Sequence, residues 1–367
     1  MKKIEIVTIL DNPNFGTYLQ AFALGLVLKK KGYAVEVLYY LRPKWHKSSL
    51  KGKIRNRFDV IYKLYAKFRH NKGMLQRVGC RNFVRKELKL TKPYYSYLQV
   101  LNNPPSADIY LTGSDQVWNT SHNGGIDKVF YLGFVPDDMP KFAYGASIGM
   151  STIPDEYKVE TYRLLKRYQA ISVRENTNID LLKSIGINSE WVLDPTFLLK
   201  PMEWEKYTTK HMVSEKYILV YSVESNKQNE IIKKTAAYLS RELNMKVMEV
   251  SYADKTIDGC DEYYLYSTPD DFLDLVANSS FIVGSSFHLT AFAINFNKQF
   301  ITVAPENFSS RIDSLLKLAE LQNRKISYYD ENIINNVIKS SINYHRINDI
   351  LSKYREISFE YINKIVG

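Results

Sequence analysis

The sequence predicts an α/β protein built from two Rossmann-like domains whose polar strand ends face a cleft. Three observations predict it. At 367 residues the chain is too long for one comfortable hydrophobic core. Residues 4–40 read as an apolar strand, a helical repeat and a second strand. The same pattern restarts at Tyr217. The expected division is 1–200, 201–346, and a C-terminal helix over 347–367 that packs back toward the first domain.

Composition narrows the function classes. Hydrophobic residues make up 45% and charged residues 24%, with 28 Tyr, which describes a packed globular protein and not a disordered one. No run of about 18 apolar residues is present, so no membrane span is expected. MKKIEIVTIL has too short an apolar run, and no small-residue cleavage site, for a signal peptide. Cys80 and Cys260 lie far apart in sequence, so neither a disulfide framework nor a zinc site is expected, and a reducing cytoplasm is the natural compartment.

The net charge of +11 is concentrated in one segment. Residues 42–92 carry 17 Lys/Arg against Asp59 and Glu87, which leaves the rest of the chain slightly acidic. Two stretches of this segment, FDVIYKLYAKF and MLQRVGCRNFVRKEL, have helical spacing. Such a basic arm suits an anionic membrane surface, which would place the protein peripherally at the inner leaflet. A solvated helical face is the plain alternative. Nucleic acid is not expected, because no recognisable nucleic-acid-binding motif accompanies the charge.

The elements follow in chain order. IEIVTIL is a continuous apolar strand, as a parallel sheet covered on both faces requires. DNPNFG is a turn, and TYLQAFALGLVLKKKG then has helical period, with Leu19, Phe22, Ala23, Leu26 and Val27 on one face and Gly32 as the stop. The first loop lacks G-x-G-x-x-G, so no dinucleotide fingerprint is present. Asn14, Gly16 and Gln20 sit where such sheets present ligand contacts. A turn capped by Asn14 or Thr17 explains the same residues equally well.

ADIYLTGSDQVWN is a strand ending in a dense polar turn. Ser114, Asp115 and Gln116 beside Trp118 suit sugar hydroxyls; an Asx-type turn capping a helix is the plain alternative. KFAYGASIG is the next strand. Residues 170–173 form a short one with Arg174 at its end, either an anion ligand or a partner of Glu175. VLDPTFLL, residues 192–199, reads as the last strand of the first half. In the second half YILVYSV, a helix over 226–243 and KVMEVSY repeat the unit. TPDDFLDLVANSS has Thr268 as cap and Asp270 and Asp271 in the first turn of a helix. Residues 281–303 then give a buried strand, a Gly-Ser-Ser turn carrying His288, an apolar helix and another strand. A strand that ends in small residues before a helix presents backbone N–H groups to an anion.

The stretches DNPNFGTYLQAFAL, DIYLTGSDQVWN, KFAYGASIG, ISVREN, WVLDPTFLL and SSFHLTAFAINFNKQFITV, in this order, resemble the polysaccharide pyruvyl transferase family. The resemblance covers nearly the whole chain except the basic segment. It implies a fold like the GT-B glycosyltransferases, and transfer of pyruvate from phosphoenolpyruvate to a sugar, giving a pyruvate ketal across two hydroxyls. The acceptor class it implies is a surface polysaccharide, or a precursor oligosaccharide such as one carried on undecaprenyl diphosphate. By the same resemblance His288 matches the family's strand-end histidine, and Arg174 the arginine of its "RE/RD" motif. Many members carry an arginine two residues before the histidine and a glycine after it; this chain has Ser286 and Leu289 there.

These residues suggest a division of labour. Phosphoenolpyruvate carries a phosphate and a carboxylate, so two anchors are expected: Arg174, and the helix start at Ser285 and Ser286 with Arg311 assisting. An imidazole titrates near neutral pH, so His288 suits acid or base work. Asp115 is expected on the acceptor side as base or hydroxyl ligand, with Asn14, Gly16, Gln20, Ser114 and Gln116 around it. Beyond phosphoenolpyruvate as donor the chemistry calls for no cofactor and no metal. Two rivals stand beside this reading. One is a glycosyltransferase using a nucleotide sugar, with Glu306 as ribose partner. The other is a glycan-binding relative without catalysis, suggested by Ser286 and Leu289.

Overall fold

A computed structural model describes residues 1–42, 71–208, 210–224, 226–306 and 309–367. The chain divides into two compact units, Met1–Leu198 with Tyr354–Gly367, and Leu199–Lys353. Most of the basic segment, including FDVIYKLYAKF, lies outside the described residues.

The first unit runs β1 (Lys3–Val7), α1 (Phe15–Lys30), β2 (Ala34–Val37), α2 (Lys72–Arg85), β3 (Lys89–Leu90), α3 (Tyr97–Asn102), β4 (Ile109–Thr112), α4 (Thr120–Asn123), β5 (Lys141–Ala146), α5 (Asp155–Leu165), β6 (Ala170–Val173), α6 (Thr177–Ser184) and β7 (Glu190–Trp191). The strands form one parallel sheet in the order β3-β2-β1-β4-β5-β6-β7. The winding reverses between β1 and β4. In sheets of this kind ligands bind beyond the carboxyl ends of the strands at such a reversal.

The second unit repeats the plan. It runs α7 (Pro201–Trp204), β8 (Tyr217–Tyr221), α8 (Asn226–Leu243), β9 (Lys246–Val250), β10 (Glu262–Tyr264), α9 (Pro269–Asn278), β11 (Phe281–Gly284), α10 (Phe287–Asn295), β12 (Gln299–Val303), α11 (Ser310–Leu318), β13 (Lys325–Ile326) and α12 (Glu331–Lys339). Its parallel sheet has the order β10-β9-β8-β11-β12-β13, with the reversal between β8 and β11. Helix α13 (Tyr344–Val366) begins in this unit and ends in the first.

Two details differ from the sequence reading. Helix α1 is not amphipathic: every residue from Phe15 to Leu28 is buried. It packs against α2, β2 and the Pro195–Phe197 turn, so its polar Thr17 and Gln20 are satisfied internally. Its end is as expected, with Gly32 at φ +90° and the Tyr33 and Gly32 N–H groups bonded back to Leu28 and Lys29. The second difference is VLDPTFLL, which is not a strand. Pairing stops at Trp191, and Asp194 caps a 3-10 turn by accepting from Thr196 N–H at 2.9 Å. Pro195 has no N–H to give a ladder, and Leu198 and Leu199 are buried from that turn instead.

The end of α13 closes over the first unit. Tyr361 donates to the Ala143 carbonyl at 2.8 Å, the Leu193 N–H donates to Ser358 Oγ at 3.0 Å, and Arg355 Nε donates to the Phe197 carbonyl at 2.6 Å. No helix among the described residues is long and apolar enough to cross a membrane.

Candidate functional site

Each unit gathers its polar side chains at the point where its strand order reverses. In the first unit β4 runs straight into Gly113, which has φ +104°. A Cβ there would lie 2.3 Å from the Tyr144 carbonyl oxygen, so only glycine lets β4 run so close to β5. The turn that follows is locked from behind. The Ser114 N–H donates to Gln20 Oε1 at 3.1 Å, Ser114 Oγ donates to the Gly145 carbonyl at 2.7 Å, and Thr8 Oγ1 donates to the Ser114 carbonyl at 2.9 Å. Gln20 Nε2 donates to Thr8 Oγ1 and to the Thr17 carbonyl.

That pattern corrects the expectation for Gln20. It is fully buried and its amide is engaged at both ends, so it is a brace for the turn. Ser114, also fully buried, shares this role. Asn14 is the cap of α1, its Oδ1 accepting from Gly16 N–H at 3.0 Å, and Gly16 is buried in the first helical turn. Gln116 Oε1 accepts from Asn119 Nδ2 at 2.6 Å.

What the brace presents is Asp115. Its φ is +69°, a left-handed conformation that aspartate tolerates better than most residues. One carboxylate oxygen accepts from Gln116 N–H at 2.8 Å; the other accepts from Thr17 Oγ1 at 3.1 Å. Arg174, at the end of β6, lies 3.6 Å from it.

The setting of Arg174 is a second correction. Its guanidinium faces three carboxylates: Asp194 at 2.6 Å, Glu175 at 3.3 Å and Asp115 at 3.6 Å. Its side chain is 2% exposed. Burial alone would ease its proton off, but the three carboxylates outweigh burial and raise its pKa. A cation already matched by three anions is a poor anchor for a further phosphate or carboxylate. It is well placed to orient Asp115. Asp194 was hidden in the sequence because VLDPTFLL looked like a strand; the Asp-Pro pair was the available signal of a capped turn.

In the second unit β11 ends at Gly284, where a Cβ would lie 2.2 Å from the Tyr221 carbonyl oxygen of β8. Ser285 Oγ lies 3.1 Å from Ser222 Oγ, which bonds Asn229 Oδ1 at 2.6 Å. Ser286 is the cap position of α10, extended at φ −86° and ψ 134°, and its hydroxyl makes no capping bond. The Ser286 carbonyl instead accepts from the Thr290 N–H and hydroxyl. His288, 5% exposed, sits in the first turn of this helix, with the Phe287 ring edge-on at 5.0 Å. The Arg311 guanidinium lies 5.7 Å from the same Phe287 ring. Glu224 completes the group. Burial raises its carboxyl, while a hydrogen bond from the Glu306 backbone and the Arg311 charge pull it back.

The structure therefore brings together Ser285, Ser286, His288 and Arg311 in one unit, and Asp115, Gln116 and Arg174 in the other, while Asn14 stays at the start of α1 as its cap. Leu289 is 1% exposed and packs over Gly284. Among the described residues no group of three or more His, Cys, Asp or Glu side chains is arranged to hold a metal ion.

Solved structures share this fold at low identity. UDP-GlcNAc 2-epimerase from Neisseria meningitidis, bound to UDP-GlcNAc, superposes with a TM-score of 0.53 at 11% identity, covering 99% of this chain and 100% of the other. UDP-N-acetylglucosamine 2-epimerase from Rickettsia bellii gives 0.53 at 11%, covering 100% and 98%. The MnaA–UDP structure from S. aureus gives 0.52 at 15%, also covering 100% and 98%. The two Rossmann-like units are thus of the GT-B type. A comparison with curated proteins finds no match. The sequence model of one family, Polysaccharide pyruvyl transferase, matches residues 14–307, which take in the first strand-end group and Ser285, Ser286 and His288 of the second but stop short of Arg311. The chain belongs to the polysaccharide pyruvyl transferase family, a family of transferases.

Proposed function

We propose that this protein transfers pyruvate from phosphoenolpyruvate to two hydroxyls of a sugar, in a surface polysaccharide or its lipid-linked precursor, forming a pyruvate ketal. One observation carries the proposal beyond family membership. His288 sits in the first turn of α10, beside Ser285 and Ser286 and next to the Phe287 ring that Arg311 approaches, so an imidazole stands among groups that favour an anion.

In this reading the helix start and Arg311 hold the phosphate or carboxylate of the donor. A proton delivered by His288 to the enol CH₂ makes the adjacent carbon electrophilic. One sugar hydroxyl adds there as its proton leaves to a base. The C–O bond to phosphate breaks, and the second hydroxyl closes the ketal with loss of its own proton. Asp115 is the proposed base or hydroxyl ligand on the acceptor, and Arg174 is its positioning residue.

The test is phosphate release from phosphoenolpyruvate with two kinds of acceptor, free oligosaccharides and diphosphate-linked ones in anionic vesicles. His288→Ala is expected to lower turnover by about 100-fold or more, the usual weight of a general acid. Wild-type turnover in His288→Ala would overturn the assignment. Vesicle activity that falls as salt rises is expected if the basic segment 42–92 meets the membrane surface.

A second reading follows from Glu224 and Glu306 near Arg311: acids that would suit a nucleotide ribose. Stabilisation of the protein by UDP-sugars, but not by phosphoenolpyruvate, in a thermal-shift panel would favour a glycosyltransferase.

A further inference from the structure

Two pockets on the first unit share Tyr97 and Lys128 as a common wall, and neither contains a residue used in the transfer chemistry above. One is about 500 Å³ and is framed by Tyr40, Arg42, Asn123 and Asp127. The other is about 480 Å³ and is framed by Arg163, Lys166, Arg167 and Asp137. Sharing that wall, the two pockets adjoin, and they are taken together as a groove with two chemistries.

The first half is rigid and nearly neutral. Arg42 is 1% exposed and is matched by Asp11, to which Nε and Nη2 donate at 2.7 and 2.6 Å. Its Nη1 donates to Asn123 Oδ1 at 2.6 Å, and Asn123 Nδ2 donates to the Val117 carbonyl at 2.9 Å. Asp127, with the Tyr40 hydroxyl beside it, is the carboxylate of this half, and burial raises its pKa. Gly124 and Gly125 leave the floor free of side chains, and Tyr97 supplies a ring, its hydroxyl fixed on the Gly133 carbonyl at 3.0 Å. A carboxylate, a tyrosine hydroxyl and a ring face on a flat floor suit a sugar: the ring packs on its C–H face and the polar atoms take its hydroxyls.

The second half is cationic. Arg167 is tied to Asp137 at 2.5 Å and Arg163 to Glu160 at 2.6 Å. Lys128 lies 3.5 Å from that same Glu160, and Lys166 rests over the Tyr162 ring at 5.5 Å. Four cations thus face two carboxylates, which leaves an excess of positive charge for an anion.

We propose that this groove binds a phosphate-bearing saccharide, with the sugar against Tyr97 and Asp127 and the phosphate against Lys128 and Lys166. The ligand class is argued from the groove alone. In the proposed reaction such a groove would hold an anionic acceptor by a part that does not react.

The test is calorimetry on the full chain with glucose 1-phosphate, glucose and inorganic phosphate, each at saturating phosphoenolpyruvate so that the donor site is not the one measured. Glucose 1-phosphate is expected to bind at least about tenfold more tightly than either fragment, since two anchored parts share one ordering cost. Lys128→Glu and Lys166→Glu, both at exposed positions, are expected to weaken it by about fivefold or more each. Asp127→Asn is expected to weaken glucose 1-phosphate and leave inorganic phosphate unchanged. Equal affinity for glucose 1-phosphate and inorganic phosphate would reduce the groove to a simple anion patch and overturn the proposal. So would lysine variants that bind like wild type. Neither result depends on turnover, so the transfer reaction stands or falls separately.

Discussion

Glu249, near the end of β9, shows how one residue can set a pH dependence. It is 3% exposed, and one oxygen accepts from Ile257 N–H at 2.7 Å. Burial raises its pKa to about 7, with the nearby Asp258 charge adding and the Ile257 bond opposing. The folded protein then keeps a proton that the unfolded chain gives up near 4.5. Stability should therefore fall as pH rises from about 4.5 to about 7, by at most about 3 kcal/mol, and level off above that. Glu249→Gln keeps an oxygen for Ile257 and removes the titration. Urea midpoints at pH 5 and pH 7.5 should differ more for wild type than for Glu249→Gln; an equal difference would remove Glu249 as the cause. Nothing in the sequence announced this, because KVMEVSY reads as an ordinary strand and burial of its one acid is a tertiary fact. Arg174 is similar. Its place at a strand end and its neighbour Glu175 were legible, but Asp115 and Asp194, which come from two other loops, were not.

At the scale of elements, the strand ends were the legible part. The strands at Phe281–Gly284, Gln299–Val303 and Ala170–Val173 fall where apolar runs end in small or polar residues. What periodicity misjudged was environment. Helix α1 shows a helical stripe, yet α2 and the Pro195–Phe197 turn cover its other sides, and no local pattern reports a distant cover. The run after Trp191 is apolar because it is buried in a turn, not because it pairs. Gly284 gives this scale its prediction. Its backbone is unremarkable in sequence terms, but a Cβ would meet the Tyr221 carbonyl and the Leu289 side chain. Leu289 can turn aside; a strand carbonyl in a ladder cannot. Gly284→Ala should therefore force β8 and β11 apart at the point where the sheet order reverses, and lower stability by about 2–3 kcal/mol. A change under about 0.5 kcal/mol in urea denaturation would show that the ladder absorbs the methyl group.

At the scale of the molecule, one construction is used twice. Both sheets wind 3-2-1-4-5-6 in strand sequence, the first with a seventh strand beyond, and each fourth strand runs into a glycine followed by serine: Gly113-Ser114 at the end of β4 and Gly284-Ser285 at the end of β11. In both places the glycine lets the strand end approach a neighbouring carbonyl. The first repeat then presents a carboxylate, Asp115, and the second a histidine, His288. The chain binds its last segment to the unit where it began. Residues Tyr354–Gly367 belong to the first unit and contact it through Arg355, Ser358 and Tyr361. Ile362 and Tyr361 are buried there, so removing the segment uncovers apolar surface over β5 as well as three hydrogen-bond partners. A chain ending at Lys353 should lose protection in β5 and β6 and at Leu193. Strands β8, β11 and β12, whose partners all lie in the second unit, should keep theirs. Hydrogen exchange read strand by strand decides it. Faster exchange in both sheets alike would mean that the two units open together, and that the end of α13 steadies the whole chain instead of the unit it covers.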